Sequence, residues 1–299
     1  MKVLITGANG LLGQKLCALL IRKNIEFLAT SKGPCRISNG NGEVNYESMD
    51  IVNQDDITRV TGTWNPDIII NTAAMTNVDQ CVAEPELCHQ LNVDAVGYLV
   101  DYCESQNCKL IHLSTDFIFD GKNGPYREDD EPRPLSIYGQ SKLDGELIIQ
   151  KSSIEWAIVR TVLVYGVTAD MSRSNIVLWV KKSLTDGMQI NVVDDQWRTP
   201  TLAEDLALGC YLIAEKGAQG VFNISGSEMM TPYDIAMATA KFFKLDASMI
   251  KRADANSFTQ PAKRPPKTGF IIDKARKILG YNPNTFKNGL AILQSQLQN

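Results

Sequence analysis

The sequence predicts an α/β fold, a doubly wound parallel sheet with a smaller C-terminal α/β domain, and three observations lead there. Apolar runs of strand length alternate with amphipathic helical stretches through the first half of the chain, an order that brings parallel strands together through right-handed crossovers. One run, Ile68-Ile69-Ile70, is apolar at successive positions, as a strand covered on both faces must be. Three glycines, Gly7, Gly10 and Gly13, follow the first strand directly and open the first helix.

Taken in order, Val3-Leu4-Ile5 reads as a buried strand, and Leu12, Leu16, Leu19 and Leu20 recur after it at helical spacing. The glycines therefore sit at a strand-to-helix turn. Gly7 would permit the tight turn, Gly10 the close approach of a pyrophosphate to the helix N-terminus, and Gly13 close helix-strand packing. That context makes the sheet Rossmann-type and places Asn9, Leu11 and Leu12 in the same dinucleotide-binding turn. A second strand is expected over Ile25 to Thr30, a loop over Gly33 to Gly42, and a Pro-preceded buried strand over Asp67 to Ala74. A long helix is expected from Pro85, an N1 proline, with Leu87, Leu91, Ala95, Leu99 and Val100 as its apolar stripe. Lys109 to Ser114 is the next strand, Tyr138 to Gln150 the next helix, and Trp156 to Val164 another strand. A strand near Gly220 to Ile224 would return to the sheet. Thr231 to Phe243 reads as a helix opened by a Thr-Pro cap, with Ile235, Ala238 and Phe242 on one face. The expected division is a cofactor domain over 1–165 with about 196–226, and a smaller substrate domain over about 166–195 and 227–299.

Composition bounds the function. The chain has 299 residues, 44% of them hydrophobic, and a net charge of -4, enough for one large or two unequal domains around a sizeable core. A mild acidic excess without a basic stripe argues against nucleic acid as partner. No run of about 18 apolar residues offers a membrane span, and no secretory signal pattern opens the sequence; a cytoplasmic protein is expected. Seven cysteines at irregular spacing, without CxxC, read as reduced and mostly buried thiols. With His89 and His112 the only histidines, no metal site is expected.

The end of the second strand bears on the cofactor. A carboxylate there usually takes the adenosine ribose 2'-hydroxyl and would repel a 2'-phosphate. Here the chain reads Leu28-Ala29-Thr30-Ser31-Lys32, so Ser31, Lys32 and Arg36 favour NADPH, with NADH as the alternative. Met49-Asp50-Ile51 resembles the segment that meets the adenine edge in related dinucleotide-binding proteins. Farther on, Tyr138 stands four residues ahead of Lys142 on one helix face. An ammonium so placed favours phenolate, so Lys142 is expected to pull Tyr138 down from about 10 and make it a usable proton donor.

The glycine turn, Asn71-Thr72-Ala73-Ala74, Leu113-Ser114-Thr115-Asp116 and the Tyr138/Lys142 pair together resemble, in order and spacing, the extended short-chain dehydrogenase/reductase superfamily. Within it the chain is most similar to dTDP-4-dehydrorhamnose reductases, through Ala73-Ala74-Met75-Thr76-Asn77-Val78-Asp79, Ser114-Thr115-Asp116-Phe117-Ile118-Phe119-Asp120-Gly121, Pro134-Leu135-Ser136-Ile137-Tyr138-Gly139, and Asp195-Gln196 with Pro200-Thr201. The resemblance implies hydride transfer from NADPH to the 4-keto group of a dTDP-4-keto-6-deoxy sugar. Tyr138 would protonate the alkoxide, Lys142 would assist it while binding the nicotinamide ribose, and Thr115 would bond the same oxygen. Ala73, Ala74, Met75 and Asn92 would add cofactor contacts. Thr76, Asp116, Phe117, Trp197 and Arg264 would add substrate contacts. The family also implies a homodimer, in some members bridged by a divalent ion such as Mg2+, for which no ligand set stands out.

Two departures bear on the substrate. Where these reductases usually carry an aromatic residue, the chain has Leu163; where they usually carry glycine in DQ-x-G-x-PT, it has Arg198 beside Trp197. These changes, with Pro125-Tyr126-Arg127-Glu128-Asp129-Asp130 and Gly226-Ser227-Glu228-Met229-Met230-Thr231, also resemble the regulatory beta subunit of methionine adenosyltransferase. That resemblance implies an NADP-binding interaction protein as the alternative, with another nucleotide-sugar oxidoreductase or epimerase as a third reading.

Overall fold

Alternation of apolar side chains along each strand decides how the chain layers. In the computed structural model, which describes residues 1–37, 44–168, 175–257 and 260–298, β1 (Lys2–Thr6) runs through the Gly7–Gly10 turn into α1 (Leu11–Arg22). Then follow β2 (Glu26–Ser31), β3 (Tyr46–Ser48), α2 (Gln54–Trp64), β4 (Ile68–Asn71), α3 (Val78–Ala83) and α4 (Pro85–His89). A π-helical turn over Gln90–Asp94 leads into α5 (Ala95–Gln106), β5 (Lys109–Thr115), α6 (Ile137–Lys151) and β6 (Trp156–Thr161). The remainder comprises β7 (Val164–Tyr165), α7 (Ile176–Thr185), β8 (Ile190–Val193), β9 (Thr201–Leu202), α8 (Ala203–Glu215), β10 (Gly220–Asn223), α9 (Pro232–Phe243), β11 (Ile250–Ala253), α10 (Asp273–Leu279) and α11 (Phe286–Leu297). Part of the expected 33–42 loop lies outside the described residues.

The described strands build a seven-stranded sheet in the order β10-β6-β5-β4-β1-β2-β3, every pair parallel. Strand order reverses on either side of β1, which places a ligand crevice at the carboxyl ends of β1 and β4. Successive residues point to opposite faces. Val3, Ile5, Ile70 and Val159 accordingly pack under α1 and α8, where Leu16, Leu206 and Cys210 meet them. Leu4, Ile69, Leu110 and Ile158 face α2, α5 and α6 on the other side, against Val60, Leu99 and Ile149. All seven cysteines are free thiols, with Cys35 alone exposed.

The helix expected from Pro85 runs without a break to Gln106 but carries a π-helical turn. Its first turn exposes Leu87 and buries Cys88, and the extra residue of the π turn rotates the stripe before Leu99 comes into register. The turn serves Asn92, whose side chain accepts from Met75 N (2.9 Å) and donates to Met75 O (3.0 Å), pinning the chain after β4. The expected 156–164 strand also breaks. Leu163 adopts φ 39°, a left-handed conformation that costs a branched residue roughly 1–2 kcal/mol.

A second, two-stranded parallel sheet pairs β8 with β11 and packs its apolar face on α7 and α9 through Val180, Leu184, Val192, Ala236 and Ala240. Helix α9 begins with a capping box between Thr231 and Asp234, in line with the Thr-Pro signal. Helix α11 lays Phe286, Leu290 and Leu293 against Tyr165 and Ile235. By contrast Ile272, Ala275, Leu279 and Tyr281, within the span expected to form the smaller domain, join the core beneath the large sheet.

Candidate active site

At the carboxyl ends of β1 and β4 lies a cleft of about 770 Å³, within the ordinary range for small-molecule sites. Its floor starts at the glycine turn. Gly7 sits at φ 66°, and a Cβ there would lie 2.7 Å from Ala73 N; one on Gly13 would lie 2.5 Å from both Ala8 Cα and Gly7 O. Both contacts are with backbone, so neither position has room for a side chain. Gly10 is the N-cap of α1 and no side chain caps the helix, which leaves its first N–H groups and positive dipole end directed to the cleft. Such an end suits a pyrophosphate.

The wall brings together most of the residues expected from the sequence: Gly7, Asn9, Gly10, Leu11, Leu12, Gly13, Ser31, Lys32, Asp50, Ile51, Ala73, Ala74, Thr76, Thr115, Asp116, Phe117, Tyr138, Lys142 and Arg264 all line it. Met75, Asn92 and Trp197 do not. Met75 is buried against Cys81, Cys88 and Tyr138, Asn92 is spent on the Met75 backbone, and Trp197 is 40% exposed. Gln196 and Arg198 line the cleft instead, with Leu163, Asn175 and Pro232.

At the end of the cleft beside β2, Lys32 Nζ lies 2.7 Å from Asp50 Oδ2, and that hydrogen bond holds the ammonium above its usual pKa. Asp50, on the segment after β3, thus meets Lys32 just beyond the end of β2. Asn9 organises the same corner, accepting from Arg36 N (2.8 Å) and donating to Pro34 O (2.9 Å).

The central hydroxyls form a relay. Thr115 Oγ1 donates to Asp116 Oδ1 at 3.1 Å and accepts from Phe117 N at 3.3 Å. The Tyr138 hydroxyl is within hydrogen-bonding reach of Thr115, whose hydroxyl favours the phenolate. Phe117 meets the Tyr138 ring edge-on at 5.8 Å. The expected pull of Lys142 on Tyr138 is corrected here. Burial pushes the Tyr138 phenol up, against a lowering contribution from Thr115, and Lys142 is not among the groups that move it. The Lys142 amine points toward the sheet, 3.1 Å from His112 Nε2. Burial lowers it to about 8, outweighing the raising effect of Glu146.

Arg198 is the residue whose role the sequence left least visible. It is 5% exposed and donates to Trp197 O (2.7 Å), Pro265 O (2.8 Å), Pro266 O (3.4 Å) and Gln196 Oε1 (3.4 Å). Its Nε lies 3.7 Å from Asp116 Oδ2, and its guanidinium covers the Phe117 ring at 5.8 Å. Thr268 also donates to Asp116. Burial raises Asp116 and lowers Arg198; both directions say that desolvation exceeds attraction in this pair. Arg264 reaches the cleft while paired with Asp79, at 2.7 Å from Oδ2, and that bond holds the Asp79 carboxyl below its usual range.

Ser114 Oγ is a buried atom on the cleft wall without a hydrogen-bond partner among the described residues. With the open helix end and the glycine cradle, it fits a dinucleotide running from the α1 N-terminus toward Tyr138. The sequence assigned no site role to His112, Asn71 or Thr268. The first two carried a signal, polar side chains inside otherwise apolar strands; Thr268 carried none.

Residues 1–299 match the family model described as RmlD substrate binding domain. Among curated relatives, the dTDP-4-dehydrorhamnose reductase of Aggregatibacter actinomycetemcomitans is 30% identical over 97% of this chain and 97% of its own. The methionine adenosyltransferase 2 subunit beta of Pongo abelii is 32% identical over 88% of this chain and 78% of its own. A solved structure of the dTDP-4-dehydrorhamnose reductase of Bacillus anthracis str. Ames, in complex with NADP, superposes with a TM-score of 0.87 at 25% identity over 99% of both chains.

Proposed function

The chain belongs to the RmlD substrate binding domain family, and from that premise we propose that it reduces the 4-keto group of a dTDP-4-keto-6-deoxy sugar with NADPH. The observation that carries the reading is the hydroxyl pair Tyr138–Thr115 on the wall of a cleft that begins at an uncapped, glycine-opened helix. The nicotinamide cofactor supplies the hydride when bound. The helix end and Ser114 would hold its phosphates and ribose side, and Ser31, Lys32 and Asp50 its adenosine end.

Tyr138 delivers a proton to the oxygen that becomes the alkoxide. Its raised pKa keeps it protonated and ready to donate. Thr115 serves that oxygen only by turning its proton away from Asp116, so the carbonyl must compete with a carboxylate for it. Each donor acts on charge that appears in the transition state, where a contact raises kcat; one such contact is worth about 10²-fold or more. Lys142 would orient the ribose edge of the cofactor. Gln196, Arg198 and Leu163 would bound the sugar from the opposite wall.

A second reading, an NADP-binding interaction protein like the methionine adenosyltransferase beta subunit, draws on Arg198, which stands where the reductases usually have glycine and closes over Phe117. Purified protein mixed with NADPH and an enzymatically generated dTDP-4-keto-6-deoxy sugar separates the two. Substrate-dependent loss of the reduced-nicotinamide absorbance supports the reductase; tight NADPH binding without that loss leaves the second reading.

A further inference from the structure

Beneath the cleft, one row of side chains crosses three strands. Thr6, Asn71 and His112 are register partners on β1, β4 and β5, so in a parallel sheet their side chains share a face. Thr6 Oγ1 lies 2.5 Å from Asn71 Oδ1, Asn71 Nδ2 lies 3.0 Å from His112 Nδ1, and His112 Nε2 lies 3.1 Å from Lys142 Nζ. All four residues are at most 2% exposed. Helix α6 comes this close because position 145 is glycine: a Cβ there would stand 2.7 Å from Asn92 O and 3.8 Å from His112 Nε2.

Hydrogen-bond donors and acceptors restrict the row to two arrangements. In the first, the Thr6 hydroxyl donates to Asn71 Oδ1, the Asn71 amide donates to His112 Nδ1, and the ring proton on Nε2 donates to Lys142. A lysine that accepts is a neutral amine. In the second, an ammonium at Lys142 donates to His112 Nε2, the ring proton moves to Nδ1 and donates to Asn71 Oδ1, and the turned amide donates to Thr6. Every bond reverses and none is lost. The imidazole stays neutral in both, as burial and the neighbouring lysine dictate.

We propose that His112 is a positioning residue for Lys142, a reversible hydrogen-bond partner that holds the lysine under Tyr138 in either charge state, with Asn71 setting which ring nitrogen carries the proton. The role rests on the reductase reading only for its use in turnover. The arrangement itself belongs to the protein alone. The other groups around Lys142 are Glu146 and Tyr138 on its own helix, Cys88 from α4, and Arg160 of β6, which binds Glu146 at 2.7 Å; none of these is rearranged by the exchange.

The test is the titration of Lys142 followed by NMR of ¹³Cε-labelled lysine, the signal being assigned by its loss in Lys142→Met. His112→Phe removes the acceptor for the ammonium and should lower the Lys142 midpoint by about one pH unit or more, the effect of one lost hydrogen bond to a charged group. His112→Gln, whose amide can donate or accept, should restore it to within about half of that shift. Asn71→Asp can only accept, fixes the ring proton on Nδ1, and should raise the midpoint. Equal midpoints in wild type, His112→Phe and Asn71→Asp overturn the proposal, and so does a His112→Gln protein that shifts as far as His112→Phe. If His112→Phe does not fold, the Gln and Asp variants decide. A protein without turnover in which these shifts occur defeats the reductase reading and keeps the row; turnover with fixed midpoints does the reverse.

Discussion

Replacing Arg198 with methionine should destabilise the protein in a pH-dependent way. The guanidinium is buried and is the cation closest to the Asp116 carboxylate, at 3.7 Å, while Asp116 keeps hydroxyl donors only from Thr268 and Thr115. Methionine keeps most of the volume and the cover over Phe117 but leaves a buried, uncompensated charge. Breaking one partner of a buried pair costs about 3–5 kcal/mol. At roughly 2 °C per kcal/mol for a chain of this length, the thermal midpoint should fall by about 6–10 °C. The sign with pH follows from linkage. The folded pKa of Asp116 is already raised above its unfolded value, so its contribution is most favourable below the unfolded pKa, about 3.9, and is lost as pH rises through the folded pKa. Removing Arg198 pushes that pKa higher still, and the loss grows with pH until the carboxyl ionises in the variant. Circular-dichroism melts should therefore show a larger Arg198→Met deficit at pH 8 than at pH 5. In Arg198→Met with Asp116→Asn, the charge is gone from both sides and at least half of the deficit should return. A deficit equal at both pH values, or a double variant as unstable as the sum of the singles, refutes the reasoning.

Three further outcomes are expected. Tyr138→Phe should lower turnover by about 10²-fold or more, the usual contribution of a positioned proton donor, with NADPH affinity by fluorescence titration within about twofold. Joint loss of both would make the residue structural. Gly13→Ala should abolish NADPH binding and lower the melting midpoint, because a Cβ meets Ala8 Cα and Gly7 O at 2.5 Å; unaltered binding would mean that the turn can shift. Lys32→Ala should reduce the preference for NADPH over NADH by about tenfold, as the ratio of kcat/KM values reports; an unchanged ratio would assign the 2'-phosphate to other donors.

What the sequence made legible is what local pattern dictates. The strand-glycine-helix opening, the buried Ile68–Ile70 run and the Thr231 cap depend on residues close together in the chain, and the structure places them as the spacing requires. The Tyr138/Lys142 spacing put both residues on the cleft wall, but not their electrostatics. Burial governs the phenol, and His112, thirty residues upstream, takes the amine. Trp197 seemed the sugar contact because an indole stands beside a changed glycine, yet main-chain bonding of its loop to Pro266 and Met230 turns Arg198 inward. Glu128, in an acidic stretch of loop sequence, accepts from Asn223 N at 3.0 Å and its carbonyl from Arg160 at 3.0 Å, fastening β10 in place. Such partners are distant in sequence, and no periodicity announces them.

The late arrival of β10 has a consequence for biosynthesis. Strand β6 is made by residue 161, but the strand that pairs with its free edge ends at residue 223, and α8, which covers α1, precedes it by only a few residues. Synthesis at about 5–20 residues per second separates the two events by about 3–12 s. During that interval the nascent chain presents an unpaired strand edge and the naked apolar flank of α1, both ready to join another chain. A nascent chain with its residues clear of the ribosome only to a point between 161 and 203 should therefore recruit holdase chaperones, while one clear beyond residue 281, past the last of the core residues Ile272, Ala275, Leu279 and Tyr281, should release them.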